Sequence, residues 1–507
     1  MKRAQIPLIL TFGFLASFGS PAFAAPGALD PTFGTGGKAV FTFGNCFGSS
    51  VAVQTDGRIL VGGQSFVASN DFALVRFNAD GSPDTAFGSS GKVTTDFSAN
   101  DDSCSRVRAL SDGGILAAGT STGGSGKDFA LARYLADGSL DTTFDPVGHD
   151  GKVHLDFGMG NDETCSDMIV QPDGKIILVG YVDTGSGTDY GIARFNADGS
   201  LDTTFDTDGR QTVDFAATND VATSVALQPD GRILVAGYSV IGGAYGFSMA
   251  RLNADGSLDT TFGTGGLVTT DVNPMTFDYC QRILVLAGGK ILAAGSSNSD
   301  FALVRYTANG ALDPTFGTGG IVTTDIDGTA DTAYDLAELS DGKILAAGST
   351  TSDFAMACYQ PNGALDPTFG TGGKVVTDLS GSNDQCRALA VRSNGKILLA
   401  GTAGNSTEFA VARYGAALTA SATNAPVLRV KGKKKRLTSN SRIRLRGSAT
   451  GSVTSVTCKL GKRTRVARGT ATWKTSIRLA PGRNVIRIIA HGPGGDSAPK
   501  KIVVLRE

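Results

Sequence analysis

Asn253-Ala254-Asp255-Gly256-Ser257-Leu258-Asp259-Thr260-Thr261-Phe262-Gly263-Thr264-Gly265-Gly266 is the stretch that decides the fold. Its core, Leu-Asp-x-x-Phe, begins again at Leu29, Leu140, Leu201, Leu312 and Leu365, with a variant at Pro83. The anchoring aromatics are Phe33, Phe87, Phe144, Phe205, Phe262, Phe316 and Phe369, spaced 53 to 61 residues apart. Seven copies at one period define a repeat architecture.

Working outward from Phe262, the chain reads Gly-Gly-Leu-Val-Thr-Thr-Asp, a loop, Arg-Ile-Leu-Val-Leu, Gly-Gly, Lys-Ile-Leu-Ala-Ala-Gly, a loop, and Phe-Ala-Leu-Val-Arg-Tyr. Each repeat therefore holds four strand-length segments. The middle two meet at Asp56-Gly57, Asp112-Gly113, Asp173-Gly174, Asp230-Gly231, Gly288-Gly289, Asp341-Gly342 and Asn394-Gly395. Such pairs suit a two-residue hairpin turn, so the segments are expected to run antiparallel. Their near-continuous apolar character predicts burial on both faces. A four-stranded sheet covered on both sides and repeated seven times is the blade of a seven-bladed β-propeller. The last repeat stops at Tyr414 without its outer strand, and the segment from Gly27 to Phe43 is that missing part. The strand near Lys38 to Phe43 should close the ring, which removes its free edges.

Composition agrees with an all-β chain: 507 residues carry 69 glycines and only 18% charged residues. Lys2-Arg3, an apolar run from Ile6 to Phe18 and the exit Ala22-Phe23-Ala24 read as a signal peptide over residues 1–24. The expected location is therefore secreted: extracellular, cell surface or periplasm. No second hydrophobic span follows, so no transmembrane segment is expected in a mature chain read as a monomer. Of seven cysteines, Cys104, Cys165, Cys280 and Cys386 share a repeat position that Ala222 and Ala333 fill elsewhere, with Cys46 close to it. Exchange with Ala points to free buried thiols.

Charged positions recur with the repeat. Arg76, Arg133, Arg194, Arg251, Arg305 and Arg413 end the third segment, with Cys358 as the exception, and are expected to tie down the Asp of a Leu-Asp-x-x-Phe phrase such as Asp84 or Asp141. Asp71, Asp128, Asp189, Asp300, Asp353 and Glu408 open that segment. A further set, Asp102, Asp162, Asp220, Asp278, Asp331 and Asp384, precedes the inner strand, while Asp96, Asp156, Asp214, Asp271, Asp325 and Asp378 end the strand before it. Gathered on one face at a channel mouth, these carboxylates would bind a ligand or a cation such as Ca²⁺; alternatively, each caps its own loop. Asp206-Thr207-Asp208-Gly209 starts like a calcium loop but lacks the later ligands. With only three histidines and no nucleophile or phosphate-loop motif, no catalytic residue is assigned.

From Asn424 the charge inverts: residues 424–507 hold 21 Lys and Arg against Asp496 and Glu507, leaving 25 basic and 45 acidic residues before them. Lys431, Lys433, Lys434, Lys435 and Arg436 form the densest cluster, a candidate site for a polyanion. Packing on the acidic propeller and plain solubility are the competing roles. The expected order is a propeller over 25–417, a linker over 418–426 and a basic β domain over 427–507.

The repeat block resembles the delta-60 repeat family of bacterial secreted proteins through the stretch 253–266, and that likeness implies a propeller with no established activity. Val225-Ala226-Leu227-Gln228-Pro229-Asp230-Gly231-Arg232-Ile233-Leu234-Val235-Ala236-Gly237 is similar to the inner strands of NHL-type propellers, which implies that the strand before Asp-Gly lines the channel. Trp473 to Ile486, with its Pro-Gly turn, resembles bacterial Ig-like modules and implies a β-sandwich used for attachment or spacing. The function expected from the sequence is a non-catalytic binding scaffold of the cell surface or envelope. It would engage a protein or an anionic envelope polymer and no cytoplasmic nucleic acid. A Ca²⁺-assisted hydrolase, lactonase or lyase at the Asp-rich mouth is the competing expectation.

Overall fold

The computed structural model describes residues 26–415, apart from 67–68, 124–125, 159–161, 216–218 and 275, together with nine tail strands between 427 and 506 and Leu479. The signal segment and the linker lie outside the described residues. Every element described is a strand.

Seven four-stranded antiparallel sheets form the ring. Blade 4 shows the order from axis to rim: Asp220–Leu227, Ile233–Ile241, Ala244–Leu252 and Leu267–Thr270. The second strand is buried on both faces, with Ile233, Leu234, Val235 and Ala236 each at most 1% exposed. Apolar side chains of neighbouring blades interdigitate, so the core is a ring of seam clusters; one joins Leu398, Ala400 and Val411 of blade 7 to Val51, Val61 and Val75 of blade 1. Inner strands touch their neighbours all the way round, including Asn45–Val53 against Gln385–Val391.

Blade 7 is completed from the N-terminus. Lys38–Thr42 pairs antiparallel with Glu408–Tyr414, Lys38 opposite Ala412 and Thr42 opposite Glu408. The strand expected from the incomplete last repeat is the one that closes the ring.

The hairpin turn differs from the two-residue loop expected. Gln54 donates its N–H to the Arg58 carbonyl and Gly57 to the Gln54 carbonyl, so the connection spans Gln54 to Arg58. Only Gly57, at φ 91°, is left-handed, whereas Asp56 accepts the Arg58 N–H through its side chain. Asp serves here as an Asx cap and Gly as the positive-φ residue of a longer loop.

A bulge interrupts every inner strand just after the position held by Gly48, Cys104, Cys165, Ala222, Cys280, Ala333 or Cys386. Opposite it stands a glycine whose backbone is crowded: a Cβ on Gly119 would fall 1.9 Å from the Ser103 carbonyl oxygen. That backbone contact leaves room for glycine alone, and the Cys or Ala facing it is buried. All seven cysteines are buried and free, and burial pushes the Cys104 thiol up to about 12. Cys46 belongs elsewhere: it faces Ser65 at the place where blade 2 has Asp102 facing Ser121.

The tail strands form two sheets. Val427–Val430, Arg442–Thr450 and Thr472–Arg478 make one; Lys435–Thr438, Lys500–Arg506, Gly482–Gly492, Ser455–Leu460 and Arg463–Val466 make the other, with Gly495–Asp496 paired beside them. Leu445 and Ile477 from the first share a buried cluster with Val456, Ile486, Ile488 and Val504 from the second.

Candidate functional site

Three arrangements on the ring carry charge or exposed aromatic surface. The simplest is the lock that explains the Leu-Asp-x-x-Phe phrase. Arg251 Nε donates to Asp259 Oδ2 at 2.9 Å, its Nη1 donates to the Ala308 carbonyl of the next blade at 2.8 Å, and its guanidinium lies 4.5 Å from the Phe262 ring centre. Asp259 Oδ1 meanwhile accepts the Thr261 N–H and hydroxyl. Arg76–Asp84, Arg133–Asp141, Arg194–Asp202, Arg305–Asp313 and Arg413–Asp30 repeat the pair. In blade 6, where Cys358 replaces the arginine, Lys343 approaches Asp366 at 3.0 Å. These residues hold blades together.

The second arrangement lies on the axis and was not read from the sequence. One residue past each bulge stand Ser50, Arg106, Asp167, Ser224, Arg282, Asp335 and Ala388. Asp167, fully buried, pairs with Arg106 at 2.6 Å and with Arg282 at 2.7 Å. It also accepts the Met168 and Val225 N–H groups and the Ser224 hydroxyl. Arg282 Nε reaches Asp335 at 3.0 Å, so one guanidinium of blade 5 bridges blades 3 and 6 across the axis. Burial alone would raise the Asp167 carboxyl, but Arg106, Arg282 and Arg108 outweigh it and hold it well below the usual range. The signal was a charged residue in four of the seven blades, Arg106, Asp167, Arg282 and Asp335, at a fixed offset from the small bulge residue.

The third arrangement sits at the seams, on the face where inner strands begin. It gathers the acid that opens a third strand, the acid after the outer strand, and the first acid of the next blade's inner strand. The sets are Asp71, Asp96 and Asp102; Asp128, Asp156 and Glu163; Asp189, Asp214 and Asp220; Asp300, Asp325 and Asp331; and Asp353, Asp378 and Asp384. Within each set one oxygen per residue lies within 4.8 Å of the others. The sequence-predicted acids thus do not ring a channel mouth: Asp102, Asp220, Asp278, Asp331 and Asp384 are buried, each in its own seam. Asp162 is a correction. It is exposed, accepts the Lys127 N–H and lies 3.8 Å from Lys127 Nζ, while the next residue, Glu163, takes the buried place.

Loop capping accounts for one oxygen of most inner acids. Phe97, Phe215 and Ile326 donate their N–H groups to Oδ2 of Asp102, Asp220 and Asp331. Among the described residues, Oδ1 of each of these three is buried without a hydrogen-bond partner. Desolvation raises all three carboxyls to about 6, and Glu163 to about 8. Asp278 and Asp384 differ: Asp278 accepts from Val272, Asn273 and Thr276, and Asp384 from Leu379, Ser380 and Gly404.

The seam between blades 4 and 5 lacks a third acid. Gly246 stands where other blades have Asp, and a Cβ there would meet Ile241 Cδ1 at 2.4 Å. Aromatic rings collect beside it instead. Tyr238 lies 5.2 Å from Tyr245 and 5.0 Å from Tyr279, and Phe277 stacks over Tyr279 at 6.3 Å with 57% of its surface exposed. The convergence of Tyr238 and Tyr245 with Phe277 and Tyr279 is made by the fold, which brings one blade's hairpin against the next blade's inner strand.

Of the basic cluster, Lys431, Lys433 and Lys434 lie outside the described residues, and Lys435 and Arg436 begin the strand Lys435–Thr438, which pairs in parallel with Lys500–Arg506.

A ring of this architecture defines a β-propeller repeat protein. The model of a β-propeller domain of unknown function, DUF5122, matches seven times, at residues 54–87, 110–144, 171–205, 228–262, 288–316, 339–369 and 392–417, once for each blade hairpin. No curated protein sequence matches the chain. Among solved structures, Sqt1 from Chaetomium thermophilum is similar at 12% identity and a TM-score of 0.44, over 75% of this chain and 97% of that one. A protein of unknown function from Dyadobacter fermentans is similar at 12% identity and 0.39, over 77% and 100%. The PQQ-bound aldose sugar dehydrogenase from Streptomyces coelicolor is similar at 12% identity and 0.34, over 74% and 98%. No helix among the described residues is long and apolar enough to cross a membrane.

Proposed function

We propose that this chain is an exported, non-catalytic binding scaffold whose propeller engages a protein through the aromatic cluster of Tyr238, Tyr245, Phe277 and Tyr279 at the seam between blades 4 and 5. The observation that carries this reading is the aromatic cluster itself: it breaks the repeat at one seam and leaves Phe277 exposed. Tyr and Phe anchors supply large contact area at low entropic cost, and they concentrate binding energy at interfaces. The excess of 45 acidic over 25 basic residues before residue 424 favours a neutral or basic partner surface. The basic tail, read as an Ig-like sandwich, would attach the molecule to an anionic envelope polymer through its cationic strands. Catalysis at an Asp-rich mouth loses its geometry, because the acids occupy separate seams and Arg282 crosses the axis.

The test is capture of envelope proteins by the immobilised mature chain, compared with a Tyr245→Ser/Phe277→Ser variant. At least a tenfold loss of the captured partner in the variant is expected. Equal capture by both proteins, or turnover of a lactone, glycoside or polyuronate by the wild type, would overturn the reading.

A further inference from the structure

We propose that the seams between blades 1 and 2, 3 and 4, and 5 and 6 are cation sites, each binding one Ca²⁺ that clamps two blades together. Two independent observations meet there. Asp71, Asp96 and Asp102 converge from three strand ends, and so do Asp189, Asp214 and Asp220, and Asp300, Asp325 and Asp331. The inner acid of each set is at most 1% exposed, and its Oδ1 has no hydrogen-bond partner among the described residues.

The second observation separates a site from a loop cap. A capping carboxylate uses its oxygens on backbone N–H groups, as Asp384 does with Leu379, Ser380 and Gly404. Asp102, Asp220 and Asp331 spend only Oδ2 in this way. A buried, unpartnered carboxylate oxygen is costly, and a cluster of like charges makes it more so. Among the described residues, no arginine or lysine forms an ion pair with the acids of the seams between blades 1 and 2 and between blades 5 and 6; Lys152 and Lys374 bond the backbone carbonyls of Asp96 and Asp325 at 3.2 and 3.0 Å.

Donor chemistry selects the ion. All three ligands are carboxylates, with no imidazole or thiolate, which favours a hard cation over zinc. Oxygens bound to one Ca²⁺ at its usual distances sit at most about 5 Å apart, whereas Mg²⁺ would draw them to about 4 Å in a strict octahedron. The carboxylate oxygens of each set lie within 4.8 Å of one another, inside the span that one Ca²⁺ allows. Backbone N–H groups already fix part of the cage: Ser98 and Ala99 donate to Asp96 Oδ1 at 2.9 and 2.6 Å, and Gly328 to Asp325 Oδ1 at 2.5 Å. Water completes the six to eight oxygens that Ca²⁺ takes. The sites are structural, and they stand or fall independently of what the aromatic cluster binds.

Equilibrium dialysis of the full mature chain against radioactive Ca²⁺ should find at least three ions per chain. Its melting temperature should rise by about 5 °C or more from chelator to millimolar Ca²⁺. An Asp102→Asn/Asp331→Asn double variant, nearly isosteric, should lose two ions and most of the rise, while Asp384→Asn should keep the wild-type response. Absence of bound Ca²⁺ with no thermal response would overturn the proposal. So would a double variant that is stabilised in chelator yet still responds to Ca²⁺ like the wild type, because protons would then be the neutralising partner.

Discussion

Replacing Asp167 by Asn tests whether the axial ion-pair network holds the ring together. The side chain keeps its volume but loses the charge that faces Arg106 at 2.6 Å and Arg282 at 2.7 Å. Oδ1 accepts from Arg106 and Met168, and Oδ2 from Arg282, Ser224 and Val225, so either amide orientation turns an NH₂ toward donors. Removing one partner of a buried pair costs about 3–5 kcal/mol, mostly from the charge left behind. A ring of about 390 residues has an unfolding entropy near 0.8 kcal/mol/K, so the melting temperature should fall by about 5 °C. The sole tryptophan, Trp473, lies in the tail, whereas all ten tyrosines lie in the ring. Near-ultraviolet tyrosine dichroism therefore reports the ring, and tryptophan fluorescence reports the tail. Only the first transition should move. Adding Arg106→Met should restore part of the loss, because the ion pair of Arg106 is with Asp167 and its removal takes away one stranded cation. A shift under 1 °C in the ring transition would refute the reasoning.

Other consequences are as direct. Cys358→Arg should restore the missing lock to Asp366 and raise ring stability by about 1 kcal/mol, read by thermal melting; a loss would mean that blade 6 has no room for the guanidinium. Native protein should show no thiol reactive toward a colorimetric disulfide reagent, and all seven should react after denaturation, because every cysteine is free and buried. Asp30, Asp202 and Asp313 are each pushed up by burial but held lower still by Lys396 and Arg413, Lys175 and Arg194, and Lys290 and Arg305, together with threonine hydrogen bonds. Their folded-state values lie below the unfolded ones, so this stability is complete above about pH 5 and is lost as pH falls below about 4. A urea midpoint that stays flat from pH 7 to pH 3 would contradict it.

Much of the ring was legible because repetition multiplies weak signals. A single Leu-Asp-x-x-Phe would say little, but seven copies fixed the blade count, and the strand missing after Tyr414 identified its own replacement. The Arg–Asp locks were legible for the same reason, as two charged positions recurring together. What escaped were features of register and crowding. Glu163, not Asp162, fills the buried seam because bulge and ladder register, invisible in the sequence, decide which of two adjacent acids points inward. The axial residues escaped because they vary from blade to blade, and only the ring brings Arg106, Asp167 and Arg282 together. The hairpin loop was misread because Asp-Gly suits both a two-residue turn and a longer Asx-capped loop, which only backbone angles distinguish.

Closure by Lys38–Thr42 also bears on the order of assembly. Phe41 finds Phe409 only after nearly the whole ring has been made, a contact of extreme sequence separation and thus a late, slow event in folding. That last seam carries Thr42 and Cys46 where other seams carry acids, leaving Glu408 as its only carboxylate at those positions. The step that commits the molecule to its native state therefore meets no cluster of like charges. A ring built this way can snap shut before any counter-ion is at hand, and the remaining seams can tighten afterwards.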